Sequence, residues 1–162
     1  MFDNFVLAAQ WLLAFHITGA FLFLGGAVAA GVLNALAWRA ERPSEIALFL
    51  RLVRVTVPFV GIGSLVALVL GLWLVHHDGF SYGSFWIWAA IVLWVVAQAL
   101  GGRGGRMQAK AREEAERCAA EGDVSSDRLR ELLRDPVANA LSYASGIAIL
   151  LVLVLMIWKP GS

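Results

Sequence analysis

The sequence predicts an all-α integral membrane protein, a four-transmembrane-helix bundle that forms one domain over residues 1–162. Three observations predict it. Hydrophobic residues make up 60% of the chain and charged residues only 15%, and the mean hydropathy of +0.74 is well above that of soluble domains. Four apolar stretches reach or approach the roughly 20 residues that a helix needs to cross a hydrocarbon core about 30 Å thick. Finally, almost all of the Lys and Arg residues fall in two of the three connections.

The four predicted spans cover residues 5–37, 53–75, 85–102 and 137–158. Only Asp3 is charged before the first span, so we expect that span to be retained and not cleaved as a signal peptide. Asp135 and Pro136 fit the N-cap and first position of the last helix.

The basic residues predict the orientation of the chain. The second connection, residues 76–84, has no Lys or Arg. The other two hold all but Lys159: Arg39, Arg42, Arg51 and Arg54 in the first, and Arg103, Arg106, Lys110, Arg112, Arg117, Arg128, Arg130 and Arg134 in the third. The positive-inside rule places both basic connections in the cytoplasm. Both termini are then predicted to lie outside the cytoplasm.

The third connection is predicted to be helical. Lys110 precedes Glu114 by four positions, and Arg112 precedes Glu116 by the same interval, a spacing that pairs charges on one helix face. We therefore expect helix three to extend into the cytoplasm to about residue 120.

A short amphipathic helix is predicted after the break at Gly122 and Asp123. Ser125 or Ser126 can cap it, and its leucines share one face: Leu129, Leu132 and Leu133. That face either lies on the membrane, where the neighbouring arginines would meet anionic lipid headgroups, or packs against the extended helix three.

Small residues at helical spacing predict where the helices pack, because lipid removes the hydrophobic drive between helices and close backbone approach replaces it. Three helices carry such a stripe: Gly19, Gly26 and Ala30; Gly63, Ala67 and Gly71; and Ala138, Ser142 and Gly146. His16 shares the small face of helix one, so its side chain is expected to point into the bundle. Exposed stripes would also permit a homodimer.

His16 is the leading candidate for a functional residue, because ionisable side chains inside the hydrocarbon are costly and usually serve a function. It could ligate a cofactor metal or transfer protons. The alternative is a neutral imidazole that joins two helices through a hydrogen bond, for example to Gln98, Asn139 or Tyr143.

His76 is the second candidate, at the outer end of helix two. If Trp38 marks the inner interface, His16 lies level with His76 and both could ligate one haem iron. If the first residues of the chain mark the outer interface, His16 lies deeper and His76 is out of reach.

Other chemistry has weaker support in the sequence. The lone Cys118 cannot form an internal disulfide, and a net charge of +1 gives no indication of a nucleic-acid partner. Cu(I) would prefer thioether ligands, yet none of the methionines is expected near His16. The run from His76 to Asp78 offers three zinc ligands that cannot easily converge. Gly101–Gly105 is interpreted as a flexible point at the membrane edge.

The chain resembles a bacterial family of four-span membrane proteins called domain of unknown function 2269. The resemblance rests on a first-helix histidine followed by small residues: His16, Gly19, Ala20, Gly25 and Gly26. It extends to the end of helix two at Gly71–Trp73, to helix three at Trp86–Trp94 and to Lys159–Pro160. It implies location in the inner (plasma) membrane.

That family is similar to the CopD copper-resistance proteins and the HemJ-type protoporphyrinogen oxidases, in which a first-helix histidine is associated with metal or haem b. The resemblance implies this role for His16. Helix three has no basic residue between Phe85 and Gly102, where a HemJ-type protein would be expected to carry a functional lysine, and this counts against protoporphyrinogen oxidation.

Three hypotheses follow for a protein held in the lipid bilayer. The first is a protein that binds haem b or a related cofactor through His16, with His76 as a second ligand, and whose catalytic residues, if any, are unknown. The second is a scaffold that uses its basic cytoplasmic arm, and the third is a small-solute or ion carrier.

Overall fold

The computed structural model describes the backbone of residues 2–77 and 80–160, and the side chains of this part of the chain from residue 9 onward. These residues form five helices: α1 (Phe2–Arg39), α2 (Pro43–His77), α3 (Phe85–Ala120), α4 (Asp127–Leu133) and α5 (Pro136–Trp158). The segments that contain α1, α2, α3 and α5 are long and apolar enough to cross a membrane. The predicted all-α, four-span architecture is confirmed, and helix three has the predicted extension.

The membrane helices pack closely in the order α1, α2, α3, α5. Helix α1 therefore lies against α2, and α5 lies against α3, while a seam separates α1 from α5. Trp38 and Tyr143 meet across this seam, with ring centroids 6.3 Å apart. We call the end of the bundle that carries the α1–α2 connection and α4 the basic end, and the other, at Phe80 and Trp86, the aromatic end.

Close backbone contact joins α1 to α2, as their small residues predicted. A Cβ atom on Gly63 would lie 2.5 Å from the backbone nitrogen of Phe23 and 2.7 Å from the carbonyl oxygen of Gly19. Since no side chain fits between these backbones, only glycine allows the observed approach.

Helices α3 and α5 meet through part of the predicted stripe, at Ser142, and through Ser145, which the sequence did not single out. A Cβ atom on Gly101 would lie 3.2 Å from Oγ of Ser145, and one on Gly104 would lie 3.4 Å from Oγ of Ser142. The glycines predicted to form a flexible point are thus part of a continuous helix, and two of them, Gly101 and Gly104, pack against α5. The inclusion of Gly146 in the contact face was wrong, since a Cβ atom there would meet no atom within 4 Å.

The basic end has a hydrophobic core of its own, and all of its buried residues except Ala37 lie outside the predicted spans. Helix α2 begins at Pro43, which suits a first helical position because its ring presets φ. The early start lets α2 pack against the extension of α3 in one buried cluster: Ala37, Ile46, Ala47, Leu50, Ala111, Ala115, Cys118 and Leu129. Leu129 of α4 is fully buried there. The alternative in which the leucines of α4 pack against protein is therefore confirmed.

Glu114 joins the extension of α3 to α4. Its Oε1 accepts hydrogen bonds from Nη2 of Arg117 at 2.6 Å and from Oγ of Ser126 at 2.7 Å. Ser126 is also the N-cap of α4, since its Oγ accepts from the backbone N–H of Leu129. These two hydrogen bonds hold the pKa of the Glu114 carboxyl below its ordinary value, and the bond from Arg117 has the larger effect.

Candidate functional site

The half of the bundle nearer the aromatic end encloses a cavity of about 430 Å³, which we call the His16 cavity. All four membrane helices line it, mainly with apolar side chains, and His16 of α1 is its histidine. Its size lies within the range of small-molecule and cofactor sites, and an apolar wall with few polar groups is usual for such sites.

His16 is held in one orientation by α2. Its Nδ1 lies 2.8 Å from the carbonyl oxygen of Ala67, and because a carbonyl can only accept, Nδ1 carries the proton. A Cβ atom on Gly71 would lie 3.0 Å from Cε1 of the ring, so the glycine is what allows the imidazole to lie against α2. In the neutral ring this tautomer leaves the lone pair on Nε2. A backbone carbonyl on Nδ1 is the usual second partner of a metal-ligating histidine.

The hydrogen-bond partner of His16 differs from those considered from the sequence. Gln98 donates instead to Oγ of Ser64 at 2.8 Å. The partner is a main-chain oxygen, and a sequence does not show which main-chain groups a side chain can reach.

The structure does not bring His76 into the His16 cavity. His76 is exposed and stacks on Tyr82, with ring centroids 6.3 Å apart. It follows Gly71, the neighbour of His16, by five positions, which places it about 7.5 Å further along α2 and about 140° around its axis. His76 therefore lies at a different depth from His16, and on a different face of α2 from the one that His16 contacts. The register in which both histidines could ligate one haem iron is not the observed one.

The cavity wall carries a cation and an indole at the aromatic end, Lys159 and Trp86, and a second indole, Trp94, about 12 Å further along α3. Nζ of Lys159 lies 4.6 Å from the ring centroid of Phe80 and 5.8 Å from that of Trp86. Nε1 of Trp86 and Nε1 of Trp94 are buried and have no hydrogen-bond partner in the described part of the chain, and both tryptophans line the cavity with Lys159. Buried N–H donors are normally paired, so an acceptor on a ligand would satisfy a requirement that the described protein atoms do not meet.

Met156 also lines the His16 cavity, contrary to the expectation that no methionine lies near His16. It is on α5, and its side chain packs with Val75, Trp86 and Ile87. A thioether is a known axial ligand of haem iron. Sequence reasoning missed this residue because only the packing order of the helices places α5 around the same cavity as α1.

The residues in the described ranges, 9–77 and 80–160, include no group of three or more His, Cys, Asp or Glu side chains that could hold a metal ion. A family model described as predicted integral membrane protein (DUF2269) matches residues 10–160. The chain belongs to the DUF2269 family. Searches of curated proteins and of solved structures found no significant match to this DUF2269 protein.

Membership agrees with the four membrane helices, and the protein is a multi-pass integral membrane protein. The match to DUF2269 includes His16, Ala67, Gly71 and Lys159, so the whole cavity wall from residue 10 onward lies within the family region.

Proposed function

We propose that this protein binds haem b in the His16 cavity, with Nε2 of His16 as the ligand of the iron. The observation that carries the proposal is the bond between Nδ1 of His16 and the carbonyl oxygen of Ala67. It fixes the tautomer, orients the ring and leaves the lone pair of Nε2 for a metal.

The wall of the cavity suits a large apolar ring with acidic substituents. Its volume of about 430 Å³ is far larger than a bare metal ion needs. The described lining also has too few His, Cys, Asp or Glu side chains to hold such an ion. At the rim, the ammonium group of Lys159 and the indole N–H of Trp86 could bind a carboxylate. Haem b combines an iron atom, an apolar macrocycle and two carboxylates.

Bound there, haem would supply one-electron or gas-binding chemistry. His16 would hold the iron through Nε2, and Met156 also lines the cavity and could ligate iron. The basic connections favour an orientation with the basic end in the cytoplasm and the His16 cavity in the outer half of the membrane.

Titration of the purified protein with haemin in detergent tests the proposal. We expect a Soret band that saturates at one haem per chain, together with its loss in His16→Ala. His76→Ala is the matched control, since it removes an imidazole at the aromatic end that does not line the cavity. We expect that variant to titrate as the parent does.

Two further variants locate the carboxylates and the second ligand. Lys159→Gln should weaken haem binding by about tenfold, the effect expected for losing one charged hydrogen bond. Met156→Leu should shift the reduced spectrum only if the thioether ligates the iron.

The absence of a titratable Soret band in the parent protein, or an unchanged band in His16→Ala, contradicts haem binding through His16. A loss in His76→Ala would instead support the two-histidine arrangement.

A further inference from the structure

A second cavity, of about 730 Å³, lies between the His16 cavity and the basic end. Phe23 and Ile149 line both cavities and separate them. Residues Leu50–Gly61 of α2 border the second cavity, which corresponds to about 16 Å along the helix axis. We call it the basic-end cavity.

One end of this cavity is strongly positive. Arg54, Arg106 and Arg112 line it, and no acidic residue is among its described lining residues. Nε of Arg112 lies 3.9 Å from Oε1 of Glu116, but Arg54 and Arg106 have no ion-pair partner in residues 9–77 and 80–160. Arginine is well suited to phosphate because its guanidinium donates two parallel hydrogen bonds.

Asn34 adds an independent sign of a missing polar partner. Its side chain is buried, with only 9% of the residue exposed, and it lines the cavity. Its Oδ1 has no hydrogen-bond partner in the described part of the chain. A buried amide oxygen without a partner costs free energy, and a hydroxyl group of a ligand would satisfy it.

The rest of the cavity is apolar and has room. Phe23, Val60 and Ile149 line its deep part. The wall also includes glycines at which an added Cβ atom would meet nothing within 4 Å: Gly31, Gly61, Gly102, Gly105 and Gly146. The cavity is therefore amphipathic along its length, with cations at the basic end and apolar wall toward the bundle centre.

We propose that the basic-end cavity binds an anionic phospholipid, with the phosphate between Arg54, Arg106 and Arg112, the head-group hydroxyls at Asn34 and an acyl chain along Phe23 and Val60. Helices α1 and α5 do not pack closely, so an acyl chain would enter from the bilayer through the seam between them. A soluble phosphate compound shares the head-group chemistry but would leave the apolar wall at Phe23, Val60 and Ile149 unused. Basic pockets between transmembrane helices commonly bind anionic head groups on the cytoplasmic side.

Native mass spectrometry of the full chain in detergent tests this site. The probes are dioleoyl phosphatidylglycerol, dioleoyl phosphatidylcholine with the same chains but no net charge, and glycerol phosphate without chains. We expect one phosphatidylglycerol per chain to be retained and the other two probes to be lost. The variant Arg54→Gln/Arg106→Gln should lower the affinity for phosphatidylglycerol by tenfold or more, because about tenfold is lost per charged hydrogen bond.

Arg103→Gln is the matched control, since it removes the same charge from α3 at an exposed position that does not line the cavity. It should leave the affinity almost unchanged. Gly31→Leu fills the cavity without touching a charge and should also weaken lipid binding.

Equal losses in Arg103→Gln and in the double variant would show a diffuse basic surface and overturn the site. Equal retention of phosphatidylcholine, which carries the same phosphate beside a choline cation, would overturn the selectivity for a net negative head group. Retention of glycerol phosphate would overturn the lipid in favour of a soluble ligand. Haem titration of the same variants is expected to be unchanged, which keeps this result separate from the fate of the His16 proposal.

Discussion

Nδ1 of His16 lies 2.8 Å from the carbonyl oxygen of Ala67, so the imidazole of α1 is bound to the main chain of α2. A carbonyl inside a helix already accepts one intrahelical bond, and its second lone pair is free to accept another from a neighbouring helix. The contact requires the imidazole to approach the α2 backbone directly, and the next small residue of the stripe, Gly71, allows this. The arrangement stabilises the helix pair and selects the tautomer of the ring.

Gly71→Ala should disturb this contact. The new Cβ atom would lie 3.0 Å from Cε1 and 3.3 Å from Nδ1 of His16, so the ring has to move by several tenths of an ångström. We expect the Nδ1–Ala67 hydrogen bond to weaken, at a cost of about 1 kcal/mol. Nitrogen NMR of the His16 ring should show a more even mixture of the two tautomers.

Gly25→Ala is the control for that measurement, because a Cβ atom at Gly25 of α1 would meet nothing within 4 Å. It makes the same chemical change in a membrane helix without approaching His16. An unaltered His16 spectrum in Gly71→Ala, or an equal change in Gly25→Ala, would rule out the proposed role of Gly71.

The membrane helices could be predicted because span length and hydropathy are properties of each segment alone. The face of α1 that carries His16 could be predicted for the same reason, since Gly19 and His16 are neighbours on one helix. The contents of the cavity depend on how four helices are arranged around it. Met156 enters the His16 cavity only because α5 packs on α3, and a single sequence contains no signal of that order.

The depth of His76 shows the same limit. Whether His16 and His76 are level depends on the register between α1 and α2, which hydropathy leaves open by several residues. The close contacts of Gly19 and Gly63 determine that register, and they place His16 beside Gly71 and not beside His76.

Gly63→Ala should therefore destabilise the α1–α2 pair. Its Cβ atom would lie 2.5 Å from the backbone nitrogen of Phe23, and a main chain cannot move aside as a flexible side chain can. We expect a loss of about 1–3 kcal/mol, as for other overpacked interiors. Thermal unfolding in detergent measures it. Gly61→Ala is the control, because a Cβ atom there would meet nothing within 4 Å, and it should change the unfolding temperature little. Similar unfolding temperatures for the two variants would contradict the role of Gly63.

The contact between the extension of α3 and α4 should loosen in acid. Folding lowers the pKa of Glu114, so the ionised carboxylate stabilises the contact between α3 and α4. This contribution is fully present at every pH above 4.5, the ordinary pKa of the carboxyl. This contribution is lost as the pH falls through the lowered value of the folded state. Amide hydrogen exchange in residues 121–126 should be faster in Glu114→Gln than in the parent at neutral pH, and the difference should shrink well below pH 4.5. Glu113→Gln, at an exposed neighbouring position, should show no difference.

Ser64 and Gln98 form a polar contact between α2 and α3 in the wall between the two cavities. Nε2 of Gln98 donates to Oγ of Ser64 at 2.8 Å, and Ser64, only 1% exposed, donates in turn to the carbonyl oxygen of Gly61. Gln98 borders the basic-end cavity and Ser64 borders the His16 cavity. The pair therefore holds α3 against α2 at the depth where the two sites meet.

A double-mutant cycle with Ser64→Ala and Gln98→Leu should give a coupling of about 0.6–1.7 kcal/mol in the free energy of unfolding, the range for hydrogen bonds between membrane helices. Each single variant leaves its partner without this bond, whereas the double variant removes both polar groups. We therefore expect the double variant to be more stable than the sum of the single losses predicts. Strict additivity would show that the two side chains do not interact, and that other contacts hold α2 and α3 together at this depth.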